Sequence, residues 1–482
     1  MNVFFDFTND ATQRSFLIDH ALTLLEQDLP VLWVDGSIVN LTLSAQPITE
    51  YLFSPFFHRS YAKLWNMTST KYRNFTYRRI SQNNFRHSVT NESIDIPNLD
   101  EIISQQIVTY LKDSSPCPRH TTSLLKKFHN LANKVNSSIC QILSDFPITD
   151  VYVYNGRFLP DAIAASRAKI GNLNVRYIET FAIDWKDRYW IFQRPVHSSD
   201  YRSELMMQHA ESIGSDQLSE VGLDWFTNRK LGKTQNFTSK TGNKYKARFD
   251  GAQNLIVFFH SSEDELITTN LAKSAWENQF KAIESLKEIV SRNSDWKLIV
   301  RVHPNLSTKS KRERNKWRFF EEELSSDSIE FIPYDSSISS YDLMSYSSLV
   351  VTFGSTIGVE AVLDGKLSLL MSNAFHEPMG ICRVVHNQAE IEEIIQSFSI
   401  QSQVPSMQSV RSAQIYAFFM ASAGIRLSKV KRFMRDSILP REVLAVEEIE
   451  ISKPKSYAVM KRLEGYIRNE IVSPYSCNCY KP

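Results

Sequence analysis

At 482 residues the chain is too long for one ordinary hydrophobic core, so two domains are expected. Hydrophobic residues at 42% and charged residues at 22% describe a globular chain, and a net charge of +2 without a basic tail removes any bulk electrostatic argument for nucleic acid. The five cysteines (Cys117, Cys140, Cys382, Cys477 and Cys479) are sparse and odd in number, as reduced thiols in a cytosol would be, and no apolar run reaches the roughly eighteen residues of a membrane span.

In chain order, Val3-Phe4-Phe5 reads as a strand, Thr8 to Gln27 as a helix, and Val31 to Val34 as a strand closed by Asp35-Gly36-Ser37. The N-terminus lacks the basic and apolar blocks of a signal peptide, so a cytoplasmic protein is expected. Residues 51–95 mix aromatics with Arg and Lys, as an acceptor groove, a membrane-facing patch or a solvated basic insertion would. A long helix over Leu124 to Leu143 leads to the strand Asp150–Tyr154, the tip Asn155-Gly156-Arg157, and a helix from Pro160 to Ile170 stopped by Gly171. Val175 to Ile178 is the next strand, with Glu179 at its carboxyl tip. Alternating strands and helices argue for a parallel α/β sheet, whose ligands bind at the carboxyl ends of the strands. Asn155, Gly156, Arg157 and Glu179 are therefore candidate site residues.

After a linker near Arg248-Phe249-Asp250-Gly251 the rhythm restarts. Strands are expected at Asn254–Phe259, Lys297–Val302, Glu330–Ile332, Leu349–Val351 and Leu367–Met371, with helices at Trp276–Ser291, Ser340–Tyr346 and from Ile357 to Leu363. From Ile391 on, the pattern reads as helical, including Ser428 to Ser437 with its four basic residues and Tyr457 to Asn469. The expected domains are residues 1–248, 249–390 and a helical segment 391–482 that packs partly on the first domain.

Three strand tips of the second domain carry complementary polar groups: Ser261-Ser262-Glu263-Asp264-Glu265, Arg301-Val302-His303-Pro304, and Gly354-Ser355-Thr356 followed by Glu360. Hydroxyls and free N–H groups at a helix start suit a phosphate, and Gly354 allows a close backbone approach. An imidazole such as His303 can hydrogen-bond a phosphate and stabilise charge on a leaving group. Glu360, one turn into its helix, suits ribose hydroxyls. His260, His376 and His386 are weaker candidates. Together these features predict a nucleotide in the second domain.

Two linked Rossmann-like α/β domains, the His-Pro dipeptide after a strand and the Gly-Ser-Thr…Glu loop-helix resemble GT-B glycosyltransferases. The resemblance is to bacterial capsule and surface polysaccharide biosynthesis proteins, related to the Kdo transferases and the bacterial sialyltransferases. It rests on Tyr154-Asn155-Gly156-Arg157, Ser261–Glu265 and Arg301–Asn305 and spans residues 150–375. It implies domains facing across a cleft, closing C-terminal helices, an acceptor in the first domain and a donor nucleotide in the second, with neither metal nor other cofactor. His303 would then contact the donor phosphate, with Ser355 and Thr356 cradling it. Inverting relatives take their base from the first domain, where Glu179, Asp35 and Asp161 all qualify; Glu179, beside Arg157, is preferred. The implied partners are a nucleotide-sugar and an oligosaccharide or lipid-linked glycan, the latter allowing peripheral contact with the inner membrane. A sugar-nucleotide 2-epimerase, a CDP-linked polyol-phosphate transferase and an inactive nucleotide-sugar-binding assembly protein are the alternatives.

Overall fold

The structure is a computed structural model of the chain. It describes residues 1–8, 10–36, 39, 61–80, 95–180, 187–211, 213–233, 254–269, 271, 274–398, 403–435, 441–446, 449–452 and five scattered positions between 456 and 463. The expected linker at 248–251 and most of the helix expected over Tyr457 to Asn469 lie outside these residues.

The first stretch runs β1 (Asn2–Asp6), α1 (Ala11–Glu26), β2 (Val31–Asp35), β3 (Phe75–Arg79), α2 (Leu99–Leu111), α3 (Pro118–Asp145), β4 (Asp150–Tyr154), α4 (Leu159–Ile170), β5 (Asn174–Thr180) and β6 (Arg188–Phe192). A helix also covers residues 61–71. The chain continues through α5 (Ser199–Ala210), α6 (Ser215–Lys230), β7 (Asn254–Phe259), α7 (Glu263–Thr268), α8 (Gln279–Arg292), β8 (Trp296–Arg301), α9 (Lys311–Leu324) and β9 (Ile329–Ile332). It then forms α10 (Ser340–Tyr346), β10 (Leu349–Thr352), α11 (Ile357–Leu363), β11 (Ser368–Leu370), β12 (Arg383–Val384), α12 (Gln388–Phe398) and α13 (Met407–Ser422). Four short strands follow: β13 (Ile425–Arg426), β14 (Val430–Arg435), β15 (Arg441–Val446) and β16 (Ile449–Ser452).

These elements make two compact α/β units. The first comprises Met1–Leu111, Ser115–Val196 and the described residues from Gly424 on; the second comprises Lys112–Ser114 and His197–Ala423. In the first unit the sheet order is β13-β6-β5-β4-β1-β2-β3, parallel except for β6, which runs antiparallel to both of its neighbours. The short central strands are buried almost end to end, as a sheet covered on both faces requires. One face carries aromatic side chains at registered positions: Phe4 stacks on Tyr152 at 4.4 Å and on Trp33 at 5.9 Å, and Trp33 meets Trp65 at 4.4 Å. Such pairs add roughly 0.5–1.5 kcal/mol each beyond their buried area. The second unit holds the all-parallel order β12-β11-β10-β7-β8-β9, with its core between the sheet and helices α8, α9 and α12. Both units are Rossmann-like, as the sequence predicts.

Two boundaries differ from the sequence reading. The units change over at Val196/His197 because α5 and α6 pack on α13 of the second unit. At Gly222 of α6 a Cβ would lie 3.4 Å from the Gln414 Cα, in ordinary van der Waals contact. Beyond Ser422 the described residues first form strands, with β14 inside Ser428 to Ser437 instead of a helix, and residues 456, 457, 459, 460 and 463 are again helical, within the stretch expected to be a helix. Lys, Arg and Met are good helix formers and favour a helix there, but the pairing of β14 with β15 and the burial of Val430 override propensity.

Asp19 explains how this last segment is held within the first unit. Its buried carboxylate accepts the backbone N–H groups of Ser428 (2.8 Å), Lys429 (2.6 Å) and Val430 (3.1 Å), and the Tyr189 hydroxyl at 3.2 Å. Val430, Leu444, Val446, Ile449 and Ile451 then join the core beside Phe4, Phe16 and Trp33.

Candidate functional site

In an open α/β sheet the ligand crevice lies at the carboxyl ends of the strands, where the strand order reverses. In the second unit the chain begins at β7, builds outward to β8 and β9, and crosses back to β10. The reversal therefore falls between β7 and β10. The tip of β7 is His260-Ser261-Ser262, that of β10 is Phe353-Gly354-Ser355-Thr356, and β8 on the other flank of β7 ends in Val302-His303.

Gly354 has φ +96°, and a Cβ there would sit 3.2 Å from both the Asn373 carbonyl oxygen and Leu266 Cδ2. Only glycine turns the chain this tightly against α7. Ser355 accepts the Ile357 N–H through its Oγ at 3.4 Å, and Thr356 is exposed.

His303 Nδ1 accepts the Asn305 N–H at 3.1 Å, which assigns the ring proton to Nε2. Burial, with Lys309 and Arg301 adding to it, pushes the imidazole down to about 4, so it is a neutral donor at pH 7. Asn305 donates from Nδ2 to Ser262 Oγ at 3.3 Å and to Glu265 at 2.8 Å, tying the β8 tip to the β7 tip. Ser261 exchanges two backbone hydrogen bonds with the Gln279 side chain, while its buried Oγ has no hydrogen-bond partner among the described residues. The structure thus brings Ser261, Ser262, His303, Gly354, Ser355 and Thr356 to one edge of one sheet.

Four other residues of these tips have structural work instead. Arg301 is buried, and its guanidinium donates to the carbonyls of Val302, Ile332, Pro333 and Ser336, stapling the loop after β9. Glu360 was expected on a ribose. Its carboxylate is 1% exposed and paired with Arg229 of α6 at 2.9 Å, because α11 presents that face to the helices of its own unit. Glu263 pairs with Lys316 at 3.0 Å and accepts the Ser114 hydroxyl at 3.1 Å; Asp264 pairs with Lys309 at 2.8 Å.

In the first unit the order reverses between β1 and β4. Asn155 (φ +59°) and Gly156 (φ +77°) turn the chain at the β4 tip, where a Cβ on Gly156 would lie 2.4 Å from the Tyr177 ring. Arg157 lies over the Phe158 ring at 4.9 Å. Glu179, one strand away, is half-buried and accepts from the Tyr154 hydroxyl at 2.8 Å, the Thr180 N–H at 2.8 Å and the Asn155 side-chain amide. The other two candidate bases are buried. Asp35 accepts the Tyr77 hydroxyl at 3.1 Å, and burial raises the Asp161 carboxyl well above the carboxylate range.

Sequence reasoning missed the groups around Asp35. Asp6, its registered neighbour on β1, pairs with Arg14 at 2.7 Å, and Arg14 lies 4.4 Å over the Tyr61 ring. Burial raises Asp6 to about 6 despite Arg14. The available signal was that the apolar runs of β1 and β2 both end in Asp. Among the described residues no group of three or more His, Cys, Asp or Glu could hold a metal ion, and no helix is long and apolar enough to cross a membrane.

Residues 175–373 match the model of a protein family described as "putative O-antigen biosynthesis protein". That stretch contains His260, Ser261, Ser262, His303 and the Gly354–Thr356 turn, and it agrees with the sequence resemblance to bacterial surface polysaccharide biosynthesis proteins. No curated protein matches significantly. Solved structures similar to the chain include a β-Kdo 2,4 transferase, KpsC of Thermosulfurimonas dismutans, at 11% identity, covering 64% of this chain and 86% of that one with a TM-score of 0.36. Another is the UDP-GlcNAc 2-epimerase of Methanocaldococcus jannaschii in complex with UDP-GlcNAc and UDP, at 11% identity, 88% and 100% coverage and a TM-score of 0.31. S. aureus MnaA with UDP shows 12% identity, 87% and 93% coverage and a TM-score of 0.31. Likenesses this distant carry no argument about this chain.

Proposed function

We propose that the chain is a glycosyltransferase of surface polysaccharide biosynthesis, with a nucleotide-sugar donor bound by the second unit and an acceptor hydroxyl activated by a carboxylate of the first. The observation that carries this reading is the switch point of the second unit. There a glycine turn, a neutral imidazole with its proton on Nε2 and the buried, unpartnered Ser261 hydroxyl share one sheet edge. Such donors suit the diphosphate of a nucleotide-sugar. The family match over residues 175–373 supports the biosynthetic context.

In the reaction, the acceptor oxygen forms a bond to the anomeric carbon as the bond from that carbon to the phosphate oxygen breaks. The electron pair stays on the departing phosphate, where His303 and the 354–356 turn offer hydrogen bonds. The acceptor proton goes to Glu179. Glu179 is favoured over Asp35 and Asp161 because it is half-exposed, while they are buried and burial raises the Asp161 carboxyl well above the usual carboxylate range. No metal or other cofactor enters this scheme. A lipid-linked acceptor would bring the protein to the inner face of the cytoplasmic membrane.

Thermal stabilisation against CMP, CDP, UDP, GDP and dTDP tests donor binding, since a ligand of the folded state raises its apparent stability. His303→Ala should weaken the nucleotide that stabilises most by about tenfold, the worth of a hydrogen bond to a charged group. Glu179→Gln should abolish formation of a glycosidic product while leaving nucleotide affinity unchanged. Failure of every nucleotide to stabilise the protein would sink the donor site, and a product with an altered sugar but no new linkage would assign an epimerase.

A further inference from the structure

The residue that seats His303 is itself a histidine. His260 follows the last residue of β7 and is 3% exposed. Its own N–H makes a ladder hydrogen bond to the Arg301 carbonyl at 3.1 Å. The next rung of a parallel ladder would run from the His303 N–H to the His260 carbonyl. Here that N–H goes instead to the His260 side chain, to Nδ1 at 2.9 Å. The imidazole therefore continues the sheet for one rung beyond its last residue, at the position where the chain turns into Pro304.

The ring is fixed from the other side. Trp317 of α9 lies against it with centroids 3.9 Å apart, and Phe280 backs Trp317 at 4.6 Å. Because Nδ1 accepts, the His260 proton sits on Nε2, which has no hydrogen-bond partner among the described residues. Burial and the neighbouring His303, Lys316 and Lys309 keep the ring neutral, so the acceptor lone pair persists at working pH.

We propose that His260 is a positioning residue for the donor-phosphate site, holding the β8 tip through Nδ1 so that the His303 imidazole is presented to the phosphate. Resting on the donor reading above, it deepens that reading. His303 has two anchors in this arrangement: the Asn305 N–H fixes its ring and the His260 ring fixes its backbone. Removing the second anchor frees the turn while leaving every donor of the site in the chain.

Asparagine offers a carbonyl oxygen close to where Nδ1 stands, and leucine offers bulk without an acceptor. The test compares wild type, His260→Asn, His260→Leu and Trp317→Phe by titration calorimetry with whichever of the five nucleotides stabilises wild type most, together with the melting temperature of each ligand-free protein. His260→Leu should bind about tenfold more weakly, the equivalent of one well-made hydrogen bond to a charged group. His260→Asn should recover most of that loss although it leaves the Trp317 ring uncovered and melts lower than wild type. Trp317→Phe should melt lower yet keep wild-type affinity. Affinity that instead follows melting temperature across all three variants, or that is unchanged in His260→Leu, overturns the positioning role. A wild type that binds none of the five nucleotides overturns both this inference and the donor reading, whereas wild-type binding indifferent to His260 overturns this one alone.

Discussion

Gly354 separates two effects that are usually confounded at one residue. Its φ of +96° taxes any L side chain, by roughly 1–2 kcal/mol. A Cβ would also press on the Asn373 carbonyl and on Leu266 at 3.2 Å, closer than ordinary contact. Gly365 has φ +78° with nothing within 4 Å of its would-be Cβ, so it carries the first effect alone. Gly354→Ala should therefore cost measurably more stability in urea than Gly365→Ala, and equal costs would remove the steric half of the argument. The same contrast shows which site residues were legible in the sequence. Gly354, His303 and the Ser261-Ser262 pair were visible because strand ends and glycines punctuate the chain. The commitments of Arg301 to four carbonyls and of Glu360 to Arg229 were not, because both depend on partners contributed by distant segments. His260 could be seen as a strand-end histidine, but its hydrogen bond to another residue's backbone could not.

At the scale of elements, the C-terminal sheet depends on a single side chain of α1. Asp19 satisfies three successive N–H groups at the entrance to β14, and it is fully buried. Asp19→Ala would leave those donors and the Tyr189 hydroxyl without their acceptor, at a cost of about 3 kcal/mol, near the upper range for hydrogen bonds to charged groups. Asp19→Asn keeps one carbonyl oxygen and should cost less. The readout is hydrogen exchange: amides of β14 to β16 should lose protection in Asp19→Ala while those of β7 to β11 keep theirs. Uniform loss over the chain would contradict a local clasp. The parallel strands themselves were legible, with Asp150–Tyr154 and Asn254–Phe259 found at their observed bounds, since buried strands are short apolar runs with turn residues at both ends. Strands β14 to β16 were not, because basic helix formers occupy an antiparallel ribbon whose pairing partner lies later in the chain. Helices α5 and α6 escaped notice for the opposite reason. Their buried apolar positions are few (Met206 and Ala210 in α5; Leu218, Trp225 and Phe226 in α6), and the partner that stabilises them, α13, lies about two hundred residues later.

For the whole molecule, acid distinguishes the two units. The second contains three buried histidines, and burial pushes His303 and His376 down to about 4 and His260 well below its ordinary value. A histidine whose folded value lies below its unfolded value of 6.5 stays neutral in the fold while the unfolded chain takes up a proton. Its contribution is complete above pH 6.5 and is lost as pH falls toward 4. For His303 and His376 this is worth up to about 3 kcal/mol each, at 1.36 kcal/mol per pH unit. Against them stands Glu313, which burial raises and which therefore favours the fold as acid protonates it. The first unit balances differently. His20 is lowered to about 4, but burial raises Asp6 to about 6 and raises Asp161 well above its ordinary value, and both lose a penalty as pH falls through their folded values. Lowering pH from 7.5 to 5 should then destabilise the second unit more than the first. Hydrogen exchange, corrected for its intrinsic pH dependence, should show β7, β8 and β10 losing protection while β1, β4 and β5 change less. Equal losses in the two sheets would mean that the buried histidines do not govern the acid response. A selective loss would place the first acid-labile element of the protein at the strand tips where the nucleotide is proposed to bind, so a bound nucleotide should protect those strands against acid more than it protects the first unit.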